Sequence, residues 1–341
     1  MDTPAAPSQG RGRPLRLAVT LGDPRGIGPE VAAEAARRWS LESAGPDEDP
    51  AGRPELLFVG PAGTGAESAA DAFHPVGEWR PGESPAVAGR LAGLAIEAAT
   101  GFALDGEVDG LVTAPIDKAA LLAGGFDFPG HTEMLATLAG RPAGPVPVAM
   151  LMAAEETTFG GPLRVALATT HIPLAEVPAA LTVERLVTQS RLVAEGLRRG
   201  WGLDRPRIAL GSVNPHASDG GRFGDEEARI VAPARDALRA AGIAAEGPVP
   251  ADTVYLRALR GEFDAVVAPY HDVGMAPFKT VSFGRGVNVT LGLPFVRTSP
   301  DHGTALDIAG RGIADPSSML EALRLAARLA RRWSSTPTCG S

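Results

Sequence analysis

The sequence predicts an α/β fold with largely parallel strand pairing, and three observations carry that prediction. Short apolar runs rich in Val, Leu and Ile alternate with segments whose apolar residues recur every three to four positions. The 341 residues suffice for about two domains of ordinary size, each able to bury a core. Reactive polar residues gather just past the apolar runs, where open α/β sheets hold their ligands.

The strand candidates are LRLAVTLG (residues 15–22), ELLFVG (55–60), DGLVTAP (109–115), RVALATTH (164–171), RIALGSVNP (207–215) and DAVVAPYH (264–271). Between them, PEVAAEAARRW, GRLAGLAIEAATGFAL, TVERLVTQSRLVAEGLRRG and EARIVAPARDALRAAG have helical apolar spacing. Residues 42–54 and 61–70 read as loops from their Gly, Pro, Ser and acidic content. Both chain ends, MDTPAAPSQGRGRP and SSTPTCGS, read as disordered tails. No apolar run approaches the length of a bilayer span, and no apolar segment follows the N-terminal basic residues, so neither a membrane segment nor a signal peptide is expected.

A net charge of −8 argues against general nucleic-acid affinity, so any bound phosphate must be met by a local cluster of cations. The single Cys339 permits no intramolecular disulfide and fits a reducing cytoplasm. Of 32 basic residues only Lys118 and Lys279 are lysine. In a chain so biased to arginine, these two are candidates for work that needs a compact ammonium, such as phosphate binding or proton transfer.

The strand ends are chemically rich. Asp23 follows the first candidate strand, Asp117 and Lys118 the third, and Asn214 and His216 the fifth, while His171 closes the fourth and His271 with Asp272 the sixth. The expectation is that all meet at one edge. His171, His216 and His271, as neutral imidazoles, could together hold a divalent metal with positions left open for substrate. Separate polar or capping histidines are the alternative. In FPGHTE, His131 and Thr132 offer paired hydrogen-bond groups to a polar ligand, or Thr132 caps a helix through EMLATLAG. His74 lacks such company and reads as a surface residue. LGDPRGIGPE (residues 21–30) sets glycines between strand and helix but departs from GxGxxG, so a dinucleotide would be held without the usual fingerprint. Residues 270–315 hold two histidines, Lys279, three arginines and a glycine-rich end.

Several of these segments carry a resemblance. LGDPRGIGPEV and SPDHGTALDIAGRGIADP are similar to the two signature segments of the isocitrate and isopropylmalate dehydrogenase superfamily, the second to its adenosine-binding loop. VTAPIDKAAL, FPGHTEML, ALATTHIPL, NPHASDGGRFGDEE, PADTVYLRALRGEFDAVVAPYHD and FGRGVNVTLGLPFVRTSPDHGTALDIAG resemble, in order from about residue 17 to 329, the PdxA family of 4-hydroxythreonine-4-phosphate dehydrogenases in vitamin B6 biosynthesis.

The resemblance implies an isocitrate/isopropylmalate dehydrogenase-like fold of two α/β domains with a cleft between them. Residues 14–130 plus 290–333 would form the cofactor side and 131–289 the metal and dimer side, with tails at 1–13 and 334–341. It implies a homodimer whose active site lies at the subunit interface. His171, His216 and His271 would hold a divalent metal such as zinc, cobalt or magnesium. His131, Thr132, Lys279, Asn288 and Arg297 would hold a small phosphorylated substrate, and His302, Gly303, Thr304, Ala305 and Asp307 would contact NAD or NADP. Asp252 is the first candidate for the proton acceptor, with Lys118, Asp272 and Asp301 behind it.

The implied reaction oxidises 4-phosphohydroxy-L-threonine and decarboxylates the resulting β-keto acid to 3-amino-2-oxopropyl phosphate. Val273 departs from the commoner glutamine of the family, and Ser218, Asp219 and Arg222 from its Gly, Glu and His. These differences keep open a relative acting on D-erythronate or D-threonate 4-phosphate. From other classes, a phosphate acyltransferase and a non-catalytic binder also remain.

Overall fold

The computed structural model describes residues 13–42 and 53–335, so Cys339, most of both expected tails and most of the loop at 42–54 lie outside the described residues. The strands are β1 (Arg16–Thr20), β2 (Glu55–Ala62), β3 (Ala72–Glu78), β4 (Gly110–Thr113), β5 (Ala149–Ala154), β6 (Leu163–Leu167), β7 (Arg207–Gly211), β8 (Ala244–Val249), β9 (Ala265–Ala268), β10 (Val287–Leu291) and β11 (Val296–Pro300). The helices are α1 (Gly28–Glu42), α2 (Pro85–Leu104), α3 (Lys118–Ala123), α4 (His131–Ala139), α5 (Val177–Ala180), α6 (Val183–Trp201), α7 (Ala232–Ala240), α8 (Ala251–Leu259), α9 (His271–Ser282) and α10 (Ser317–Ser335).

All six expected strands form, and each expected helical segment lies in a helix. EARIVAPARDALRAAG starts with a π-helical turn, Glu227–Val231, before α7. Its Pro233 lies in the first turn of α7, where a missing N–H costs least. Four of the five strands that sequence patterning passes over have identifiable disguises. β10 and β11 alternate apolar residues with Asn288, Thr290, Arg297 and Ser299, while β3 and β8 contain prolines and occupy the two ends of the sheet. Pro61 and Ala62, expected in a loop, complete β2.

One sheet of 11 strands runs in the order β3-β2-β1-β4-β11-β10-β5-β6-β9-β7-β8. Its outer parts are parallel, but β11–β10, β10–β5 and β5–β6 are all antiparallel. Three reversals set β6, β9, β7 and β8 opposite in direction to β1, β2, β3 and β4. The carboxyl ends of the two sets therefore run in opposite directions, yet one cavity over the reversal takes Lys118 from past β4 together with His171 and His271 from past β6 and β9, while Asp23, Asn214 and His216, expected with them, do not line it. The largest apolar cluster includes Val19 of β1, Leu151 of β5, Ile208 of β7 and Leu323 of α10 and so runs along the sheet, with separate clusters around Phe278 and around Ile96.

Two further expectations change. α2 is long and apolar enough to cross a membrane by length and composition, although none was expected. Half of it is buried inside the fold, where it packs on α3, α4 and β2. A core helix explains such a composition as well as a membrane span does. His74 is half-buried in β3 and meets Phe102 edge to face, with ring centroids 5.0 Å apart.

Candidate active site

A cavity of about 440 Å³ opens over the three central strands where direction reverses. Side chains alternate across a strand, so pairing register decides which residues share its floor. Asn288 pairs with Ser299 on one side and Met152 on the other, and Thr290 pairs with Met150. Arg297 lies two residues from Ser299 and therefore on the same face. Thr113 closes the β4 side. The opposite face sends Val287, Val289 and Leu151 into the core.

Arg297 dominates this floor. It is 2% exposed, yet its guanidinium meets only hydroxyls, donating to Thr290 Oγ1 at 2.9 Å and Thr113 Oγ1 at 2.7 Å. Among the described residues no carboxylate forms an ion pair with it, and burial lowers its pKa to about 10 despite the opposing field of Glu133. A buried cation without a partner costs several kcal/mol, on the order of 3–5, unless a ligand supplies the counter-charge.

Four buried polar atoms on the cavity wall have no protein partner: Arg297 Nε, Asn288 Oδ1, His131 Nε2 and His302 Nε2. Buried polar groups are ordinarily satisfied, so a cluster of exceptions marks where a hydrogen-bonding ligand belongs. His131 is held well below the usual imidazole range, first by burial and then by the Arg297 charge, so its ring is neutral. Thr132 lines the cavity one residue further on. It does not cap α4, because the helix begins at His131 with Gly130 as its cap. Lys279 reaches the rim from α9, with its ammonium 3.3 Å from the Asp301 carbonyl oxygen and 3.9 Å from the carboxylate.

His171, just past β6, and His271, which opens α9, stand with ring centroids 5.5 Å apart on the cavity wall. Burial first, then Lys118 and His271, lower the His171 pKa and favour the neutral form that ligates metal. His271 Nδ1 lies 2.7 Å from Asp272 Oδ1, a contact that fixes the ring and leaves Nε2 for a ligand. The donor chemistry of this pair fits a divalent cation. His216 does not join them within one chain: it lies past β7, outside the cavity, and among the described residues no group of three metal-ligating side chains assembles.

Of the other expected residues, Lys118 lines the cavity from the start of α3, whose cap Asp117 accepts from Ala120 N at 2.7 Å. Asp252 is exposed in the first turn of α8 and outside the cavity, and α8 packs against the turn that carries His216. His302 and Gly303 line the cavity, whereas Thr304, Ala305 and Asp307 continue away from it. Thr304 O accepts from Ile27 N at 2.9 Å, and a Cβ at Gly26 would come within 2.7 Å of that oxygen. The two glycine-rich segments singled out in the sequence are thus in contact.

Asp23 and Asn214 are structural. Asp23 is buried and pairs with Arg25 at 2.6 Å. Asn214 is held by Glu226 and Glu227. Val273 packs against the apolar cluster around Phe278 and does not line the cavity. Thr113, Glu133, Ser299 and the floor methionines Met150 and Met152 went unnoticed in the sequence. Only the register of β4, β11, β10 and β5 puts Thr113, Ser299 and the methionines beside Arg297.

The chain matches a family model described as Pyridoxal phosphate biosynthetic protein PdxA over residues 33–326. It is 45% identical over 339 residues to a 4-hydroxythreonine-4-phosphate dehydrogenase of Caulobacter vibrioides, covering 93% of this chain and 98% of that protein. A second such enzyme, of Xanthobacter autotrophicus, is 45% identical over 336 residues, covering 93% and 94%. Among solved structures, 4-hydroxythreonine-4-phosphate dehydrogenase from Klebsiella pneumoniae gives a TM-score of 0.77 at 40% identity, covering 93% of this chain and 99% of that one.

Proposed function

Because the chain belongs to the PdxA family of pyridoxal phosphate biosynthetic proteins, we propose that it oxidises 4-phosphohydroxy-L-threonine with NAD or NADP and releases carbon dioxide to leave 3-amino-2-oxopropyl phosphate. The protein is a dehydrogenase of vitamin B6 biosynthesis. The observation that carries the substrate assignment is the buried Arg297 without a carboxylate, surrounded by three other unpartnered polar groups in one cavity. Such a wall calls for a small, multiply charged anion, and the volume of about 440 Å³ lies in the range of about 300–1,000 Å³ typical of small-molecule sites.

Arg297, Asn288, Lys279, His131 and Thr132 hold phosphate and carboxylate in this reading, which fixes the hydroxyl-bearing carbon between them. When bound, a nicotinamide beside residues 302–307 supplies the two-electron oxidation, and a divalent ion on His171, His271 and His216 supplies Lewis-acid stabilisation of developing oxygen charge. The hydroxyl proton passes to a base, Lys118 from the cavity wall or Asp252. The carbon–carbon bond to the carboxylate then breaks, and its electron pair stays as an enolate until a proton returns to carbon. A protonated Lys118 on the same cavity wall would lower the cost of that negative charge.

The same arrangement supports a homodimer. His216 and Asp252 occupy adjoining elements, both exposed and both outside the cavity of their own chain. A second subunit would bring them to the first subunit's cavity and complete the site. The cytoplasm is the compartment proposed, since both the substrate class and the cofactor are cytoplasmic small molecules.

The test is reduction of NAD or NADP, followed by absorbance, in metal-replete protein given 4-phosphohydroxy-L-threonine, with D-erythronate and D-threonate 4-phosphate in parallel. Turnover of the amino substrate at a kcat/KM well above both sugar acids is expected. No absorbance change with any of them would sink the dehydrogenase assignment, and preference for a sugar acid would move the substrate.

A further inference from the structure

The chain reverses its backbone hand between β7 and α7. His216, Ala217, Ser218 and Asp219 have φ of 52°, 53°, 68° and 45°, and Gly220 and Gly221 follow at 69° and 96°. Four consecutive residues with side chains are held against preference here, because in this region each Cβ crowds the following carbonyl oxygen. Such a segment persists only where its surroundings over-determine it.

Glu227 supplies that constraint. Its carboxylate is buried, and Oε1 accepts from Val213 N at 2.8 Å and Asn214 N at 2.7 Å. Oε2 accepts from Asn214 Nδ2 at 2.9 Å and from the Ser218 hydroxyl. Burial by itself would raise the Glu227 pKa, but hydrogen bonds from Ser218 and Asn214 outweigh it and keep the group below the usual range. The charged form, with no proton of its own, can accept from all four donors. At its base Glu227 begins the π-helical turn, where Ile230 and Val231 anchor it in the core.

We infer that Glu227 is a positioning residue for His216: by gripping Asn214 on one side and Ser218 on the other, it fixes the left-handed turn and the direction in which the imidazole is presented. The inference rests on the reading of His216 as a ligand for a divalent ion. Ser218 is itself a participant, since its hydroxyl is one of the points held.

Cobalt titration of the full-length protein, followed by visible absorption against a competing chelator, tests this together with kcat and KM. Glu227→Gln keeps the shape but sets an amide donor among donors. It should weaken cobalt binding by roughly tenfold or more and lower kcat with little change in KM. In a His216→Ala background the same substitution should change cobalt affinity by less than about twofold, because nothing remains to be positioned. Unchanged affinity in Glu227→Gln overturns the inference, and so do equal losses in both backgrounds, which would mark a general folding role. If His216→Ala alone keeps full cobalt affinity, the ligand reading fails and takes the inference with it, an outcome distinct from the other two. Should Glu227→Gln not fold, Ser218→Ala deletes a single donor and should weaken binding about fivefold, but only where His216 is present. An equal effect with and without His216 overturns the inference.

Discussion

The guanidinium of Arg297 donates to the hydroxyl of Thr113 at 2.7 Å, joining residues 184 positions apart across the β11–β4 pair. The contact aims a buried cation at a cavity and leaves it without an opposing charge. Binding is the role such an arrangement fits, because a cation kept for stability would be paired with a carboxylate.

Arg297→Met should therefore separate binding from folding. Loss of a charge-assisted hydrogen bond, about 1.5–3 kcal/mol, predicts a rise in KM of roughly ten- to a hundredfold. The thermal midpoint should stay level or rise, since an uncompensated buried charge is removed. A fall in midpoint with unchanged KM would reassign Arg297 to the scaffold.

Asp272→Asn should weaken the metal site without removing a ligand. Asp272 holds His271 Nδ1 at 2.7 Å and so orients the ring. Loss of such a partner typically costs roughly 10–100-fold in metal affinity, which metal content after dialysis against a chelator series would report. His171→Ala and His271→Ala should abolish tight binding altogether.

His131 predicts a pH dependence of stability. Its folded pKa lies well below the ordinary 6.5, so on acidification the unfolded chain takes up a proton before the folded one does. Stability from this group is intact above about pH 6.5 and is lost as pH falls from there toward the folded value. As pH is lowered through about 6.5, urea unfolding should show the wild type losing more stability than His131→Gln, and equal losses in the two proteins would sink the assignment.

Gly26→Ala should act more on the cofactor than on the substrate. A Cβ at this position would come within 2.7 Å of Thr304 O and displace the loop beginning at His302. The KM for the nicotinamide should rise by a larger factor than the substrate KM, because the clash falls on Thr304 and reaches His302 only through the loop. Equal effects on both would place the loop's influence elsewhere.

Much of the molecule is legible in the sequence because its signals are local. Val-, Leu- and Ile-rich runs between amphipathic segments predict six strands and four helical segments, all present, but not α9 or the 19-residue α10. The scarcity of lysine directs attention to Lys118 and Lys279, and both stand on the cavity wall. Motif resemblance alone suffices for the family. β10 and β11 escape a search for continuous apolar runs for a physical reason: one face of each turns to a polar cavity, so Asn288 and Thr290 in β10 and Arg297 and Ser299 in β11 interrupt the run.

What only the tertiary structure decides depends on register and direction. Three antiparallel pairings turn half of the sheet around, so Lys118 past β4 meets His171 and His271 past β6 and β9 over the reversal, from strands that run in opposite directions. His171 and His271 reach the cavity, and His216 does not. A period of two along each strand fixes which side chains share a face, but only hydrogen-bonded register sets Asn288 against Ser299 and Met152. Sequence supplies the reactive groups, and pairing between distant strands determines which of them can act on the same molecule.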